Sequence, residues 1–351
     1  MPSPAIRRWL ALVCWVVLAM IVLGGVTRLT QSGLSMVTWE PLLGAIPPRT
    51  EAQWQARFDQ YRQFPEYQKL NRDMTLPEFK RIFFWEYLHR LVGRLIGVVF
   101  GLPLLWFAVR GRVRGALAWK LAVAFVAGGL QGVLGWYMVK SGLVDDPRVS
   151  HFRLAAHLSL ALLLLSWLYW IYLDLAPAAH TFPGPRRLRK LAIGFLALLL
   201  VQIVYGAFVA GLDAGLIFNT FPKMLGFWIA PQAFDFARSG LADLVHNPVT
   251  IQFIHRALGG LLGLAAWGLW WWGRNYGLSP AQRGLLRLVL ALTVLQFAIG
   301  VVTLLMYVPV ALGAWHQLNA ALLLLATVGL LHALRGQPAR GGGVPSPGVP
   351  A

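Results

Sequence analysis

The 351-residue chain is 58% hydrophobic and only 13% charged, with 16 tryptophans, a composition that cannot be folded around one water-soluble core. It is read as an all-α polytopic membrane protein. The formal net charge of +18 is read as a topology signal and anionic-lipid contact rather than a nucleic-acid footprint. The single cysteine, Cys14, excludes an intrachain disulfide and any multi-cysteine metal or iron–sulfur site.

Apolar runs of about 20 residues, enough to cross a bilayer, lie near 9–29, 83–109, 116–139, 154–173, 190–211, 250–272, 285–306 and 311–334. They predict eight transmembrane helices, arranged as two pseudo-symmetric four-helix bundles. The first run lacks a small-residue cleavage site and is kept as a helix rather than a signal peptide. Residues 1–176 form the N-terminal half. Its outer loop, about 30–82, carries Glu51, Asp59, Glu66, Asp73 and several arginines and is expected to be folded and partly helical. A linker at 177–189, containing Pro183-Gly184-Pro185, leads to a C-terminal half at 190–334. The Gly/Pro-rich tail, 335–351, is expected to be disordered.

Orientation follows from Lys and Arg. The N-terminus, the 110–120 and 274–287 turns, the 174–190 linker and the C-terminus share one side. They carry fifteen basic residues against one acid, Asp174, whereas the opposite side has twelve basic and eleven acidic residues. Both termini are therefore expected in the cytoplasm.

An internal duplication organises the chain. The stretch His89-Arg90-Leu91-Val92-Gly93-Arg94-Leu95-Ile96-Gly97 returns as His255-Arg256-Ala257-Leu258-Gly259-Gly260-Leu261-Leu262-Gly263, both H-R-x-x-G-x-L-x-G. His157 returns as His316, and Gly24 to Gly33 as Gly206 to Gly215. The four histidines come early in the second, fourth, sixth and eighth apolar runs. By the topology above they lie at one depth, toward the outer face. His89 can face His157 across one bundle, and His255 can face His316 across the other.

Imidazole suits iron, and a haem presents two axial positions that paired histidines can fill. The plainer reading of an intramembrane histidine is an interhelical hydrogen bond or a proton relay; four histidines paired by repeat and depth favour ligation. His151 and His246 are placed in outer loops, His180 in the linker and His332 at the inner end of the last helix, without a special role. The repeat is broken at Glu86, three residues before His89, where the second copy has Gln252. A carboxylate near the apolar phase pairs with a cation, here Arg90 or Arg94, or does chemistry. The functional reading gives only the N-terminal pocket an acid/base group beside its iron. Arg90 and Arg256 are candidates for haem propionates, or interface arginines reaching water. Gln131, Gln202 and Gln296, each followed four residues later by glycine, are expected to hydrogen-bond between helices.

The segments Gly25-Val26-Thr27-Arg28-Leu29-Thr30-Gln31-Ser32-Gly33-Leu34-Ser35-Met36, Trp39-Glu40-Pro41, Pro47-Pro48, Glu86-Tyr87-Leu88-His89-Arg90 and Phe218-Asn219-Thr220-Phe221-Pro222-Lys223-Met224, with the His255 and His316 segments, resemble the haem A synthase family up to about residue 334. The resemblance implies an enzyme that oxidises one ring methyl of haem O to a formyl group, giving haem A for cytochrome oxidase. His89 and His157 would flank the substrate haem O, with Glu86 as the acidic catalytic residue. His255 and His316 would ligate a haem b that passes electrons. The chain lacks the outer-loop cysteine pair of some members and resembles the long-first-loop branch of mitochondria and related bacteria. A bacterial inner membrane is favoured because no transit peptide is evident. Expected partners are the bilayer, the haem O synthase, an unidentified electron donor and the cytochrome oxidase assembly machinery, with no nucleic acid; self-association is left open. The alternative is a diheme b-type electron-transfer cytochrome. A haem O synthase is disfavoured because Asp145-Asp146 alone does not supply the Asp-rich motifs a prenyltransferase needs.

Overall fold

A computed structural model describes residues 4–38, 43–144, 146–176 and 184–335. Eight helices among them are long and apolar enough to span a membrane: α1 (Pro4–Leu29), α2 (Leu76–Val109), α3 (Gly115–Lys140), α4 (His151–Asp174), α5 (Arg186–Gly211), α6 (Pro248–Gly273), α7 (Pro280–Leu305) and α8 (Val310–Arg335). No strand occurs among the described residues, which hold only an isolated bridge between Met224 and Phe227. Several expectations fall outside this range: Trp39-Glu40-Pro41, Asp145, His180, Pro183 and the tail beyond Arg335.

The helices begin earlier than the apolar runs because their polar first turns are capped rather than hydrophobic. In α2, which starts at Leu76 rather than 83, Glu78 accepts from the Thr75 amide at 2.8 Å and the Thr75 hydroxyl at 2.7 Å. Pro77 occupies a position where a missing N–H costs nothing. Ser279 with Gln282 and Asn247 before Pro248 start α7 and α6 in similar ways.

In the first half α1 packs on α2 and α4, and α3 packs on α2 and α4. In the second, α5 packs on α6 and α8, and α7 packs on α6 and α8. The halves meet where α1 touches α8, α4 touches α5 and α4 touches α8. These pairings are compatible with two related four-helix bundles. The C-terminal half of α8 is enclosed without a break from Ala326 to Leu334. By contrast α2 and α3 leave Leu102, Leu105, Trp106, Trp119 and Val126 exposed, an outward apolar surface that lipid can cover.

Polar contacts tie the halves together at each end. Gln317 on α8 donates to the Ile21 carbonyl on α1 at 2.5 Å, in space that a side chain on Gly25 would fill. Arg28 pairs with Asp213 at 2.7 Å. At the opposite end Asp174 meets Lys120, His332 and Arg335 at 3.3, 3.1 and 2.7 Å, which joins α3, α4 and α8.

The long outer loop is partly helical, with helices Glu51–Tyr61 and Pro65–Lys69, and its Phe58 and Tyr61 form a small core with Phe79 and Phe83 of α2. Inside it the Tyr61 hydroxyl donates to Glu66 at 3.0 Å and accepts from the Asn71 amide at 2.8 Å. Burial pushes the Glu66 carboxyl up to about 7; the Tyr61 hydrogen bond opposes this, and the nearby Glu86 charge adds to it.

Candidate functional site

Each of the four histidines rests on a glycine of a neighbouring helix. A Cβ on Gly24, Gly135, Gly206 or Gly300 would come within 3.0, 2.9, 3.1 or 2.9 Å of Cε1 of His89, His157, His255 or His316, respectively. These contacts lie between α1 and α2, α3 and α4, α5 and α6, and α7 and α8. At separations near 3 Å a methyl group would force the ring to move, so the glycines permit the close approach that sets the imidazoles. Three glycines are preceded four residues earlier by glutamine, one turn along the same face. Gln131 donates to the His157 carbonyl at 2.9 Å, Gln202 to the His255 carbonyl at 3.1 Å and Gln296 to the His316 carbonyl at 3.1 Å. The interhelical role expected for these glutamines is what the structure gives them, and each binds at a candidate ligand.

His255 and His316 face each other with ring centroids 6.5 Å apart and planes at 69°. Two metal–imidazole bonds of about 2 Å, each backed by a ring radius of ~1 Å, put the centroids about 6 Å apart. The pair therefore has the spacing that axial ligation of one iron requires. His89 and His157 are near enough to interact electrostatically. The Nδ1 atoms of His89, His157 and His255 are buried without a hydrogen-bond partner. A buried polar group left so costs roughly 1–3 kcal/mol, a cost that binding sites tolerate. Among the described residues no three His, Cys, Asp or Glu side chains cluster as they would for a bare metal ion.

The outer loop is hooked onto α2 by Glu86 and Arg90. Glu86, 3% exposed, accepts from the Ser35 hydroxyl and the Met36 amide, both at 2.7 Å, and from Arg90 at 2.6 Å. Arg90 also donates to the carbonyls of Met36 at 2.7 Å and Thr38 at 3.0 Å. The second half repeats the hook at matching positions: Arg256 donates to the carbonyls of Phe218 and Thr220. There Gln252 donates to the Ala214 carbonyl at 2.8 Å and the Phe218 carbonyl at 3.3 Å. The two hooks differ in polarity, although the Gln252 Oε1 accepts from Arg256 at 3.4 Å as Glu86 does from Arg90. A carboxylate collects N–H and O–H groups in the first, and an amide offers its N–H to carbonyls in the second. The sequence pointed to the Glu86/Gln252 difference but not to the loop residues it holds, because a bond between positions 50 residues apart leaves no local pattern.

The remaining histidines stand apart. His151 begins α4 rather than lying in a loop, is buried, and has Nε2 2.8 Å from the Val245 carbonyl, with the His246 ring 5.5 Å away. His332 contacts Asp174.

Fold and site together define a polytopic all-helical membrane protein with two internal histidine pairs, one of them accompanied by a buried carboxylate. Residues 7–328 match the cytochrome oxidase assembly protein family. The haem A synthase of Rhodospirillum centenum is 47% identical over 332 residues, covering 94% of this chain and 88% of the relative. Those of Paramagnetospirillum magneticum and Nitrosospira multiformis are 45% and 43% identical, over 93% and 95% of this chain and 92% and 94% of their own lengths. The chain belongs to the cytochrome oxidase assembly protein family.

Proposed function

We propose that this chain is a haem A synthase, a membrane oxidoreductase that converts a ring methyl of haem O to a formyl group. The relatives' shared name and near full-length coverage support the activity. The observation that carries the assignment of roles is the exchange of Glu86 for Gln252 between otherwise matching hooks. His89 and His157 hold the substrate iron in the half 1–176, and His255 and His316 hold a haem b in the half 190–334, which supplies electron passage when bound. The glycine cradles and the spacing of the second pair fit these groups.

With water as the oxygen source, methyl plus water gives formyl, four protons and four electrons. The reacting pocket then needs a proton acceptor or a fixed negative charge beside the forming cation, and Glu86 is placed one helical turn from His89. Ser35, Met36 and Arg90 fix the orientation of its carboxyl group. Arg90 and Arg256 fix the outer loop over each pocket, with the haem propionates as further partners. The proposal places the protein in a bacterial inner membrane, with both termini in the cytoplasm and the haem sites toward the outer face. It would receive haem O from the haem O synthase, and the four electrons released would pass by way of the haem b pocket to a separate electron acceptor.

Glu86→Gln tests the assignment. Formyl formation is expected to fall by about 10²-fold or more while folding and haem content persist. Wild-type haem A production in that variant would remove Glu86 from the reaction.

A further inference from the structure

The glutamine-and-glycine support is complete under three of the four histidines and broken under the fourth. Gln131 with Gly135 serves His157, Gln202 with Gly206 serves His255, and Gln296 with Gly300 serves His316. His89 has its glycine, Gly24, but four residues earlier stands Met20. The segment Gly24 to Gly33 matches Gly206 to Gly215, so Met20 occupies the place of Gln202.

The glutamine does what methionine cannot. Its amide donates to the histidine's own main-chain carbonyl, tying the ligand-bearing helix to its neighbour at the level of the ring. Gln202 and Gln296 also bring Nε2 to 3.4 and 3.1 Å from Nε2 of their histidines. A partner that fixes the ligand's own backbone orients a metal-bound imidazole. A thioether is a weak acceptor and donates nothing. His89 therefore lacks the main-chain tie that a glutamine gives the other three histidines.

We propose that Met20 acts as a positioning residue that makes His89 the exchangeable ligand of the substrate iron, with His157 the retained one. The inference rests on the haem reading of the two pockets and deepens it. An iron held by two fixed histidines has no axial position left. A pocket with one supported and one unsupported histidine can open on one face. The C-terminal pocket, with glutamine behind both histidines, stays closed, as suits a group that only passes electrons.

The test uses full-length protein purified from a host that makes haem O, reduced and titrated with carbon monoxide, which binds ferrous haem only where an axial position opens. Wild type is expected to bind carbon monoxide at one of its two haems. Met20→Gln should weaken that binding by about tenfold or more, and Gln202→Met should let the second haem bind, given the usual effect of an outer partner. Unchanged binding in Met20→Gln, or wild-type binding at both haems or neither, would overturn the inference. If Met20→Gln does not fold, Gln202→Met decides: a second haem that still refuses carbon monoxide overturns it. A wild-type protein without any bis-imidazole low-spin spectrum would instead fail the haem reading of the pockets.

Discussion

The two pockets share a scaffold, and two of the exchanges between them bear on the histidines. Both have a histidine pair, glycine cradles and an arginine that holds an outer segment by its carbonyls. The first has Glu86 where the second has Gln252, and Met20 where the second has Gln202. The difference is one of charge at the first exchange and of support for the ligand-bearing helix at the second. On the proposed function, the duplicated scaffold carries two histidine pairs, and a few side chains would separate a reacting site from a conducting one.

Losing a ligand should break the comparison most severely. His255→Ala is expected to remove one haem while the first pocket keeps its own, and His89→Ala should leave the second pocket's spectrum intact. Spectral changes at both pockets from either substitution would contradict two separate sites. Gly300→Ala places a methyl 2.9 Å from Cε1 of His316 and should lower haem retention in the second pocket by about tenfold, a displaced ligand costing on the order of 1–2 kcal/mol. Gly263, with nothing within 4 Å of its added Cβ, is the control, and Gly263→Ala should retain haem.

Smaller effects lie in the outer loop over the first pocket. Glu66, 5% exposed, has a folded pKa raised to about 7 by burial and the nearby Glu86 charge. A carboxyl whose folded pKa lies above its unfolded value contributes stability below about pH 4, and that contribution is lost as pH rises through about 7. Hydrogen exchange across residues 51–74 should therefore quicken from pH 5 to pH 8 beyond the intrinsic rate, and Glu66→Gln should flatten the change. Equal pH dependence in both proteins would contradict it. The smallest effect is expected from Arg28→Ala, which removes a partly exposed ion pair to Asp213 and should cost at most about 1 kcal/mol in thermal unfolding.

Much of this was legible in the residues. Eight apolar runs gave eight helices because hydropathy and length are what a bilayer demands, and the histidine pairs followed from the repeat. The first seven residues of α2 were missed because Leu76 to Ile82 forms an amphipathic extension outside the apolar stretch, started by Thr75 and Glu78. The capping signal was present, but hydropathy does not register it. The hook of Ser35 and Met36 onto Glu86 was not legible, since its partners belong to different elements. The Met20 exchange was present in the sequence, but it acquires meaning only once Gln202 is seen bonded to His255.

The most direct test of the central claim is the identity of the haems in the purified protein. The chain would be expressed in a host that makes haem O, and its haem extracted and separated by chromatography. Two unlike pockets predict haem b together with haem O or haem A, with haem A lost in Glu86→Gln. Two equivalents of haem b alone, unchanged by that substitution, would contradict the account and make the protein an electron-transfer cytochrome.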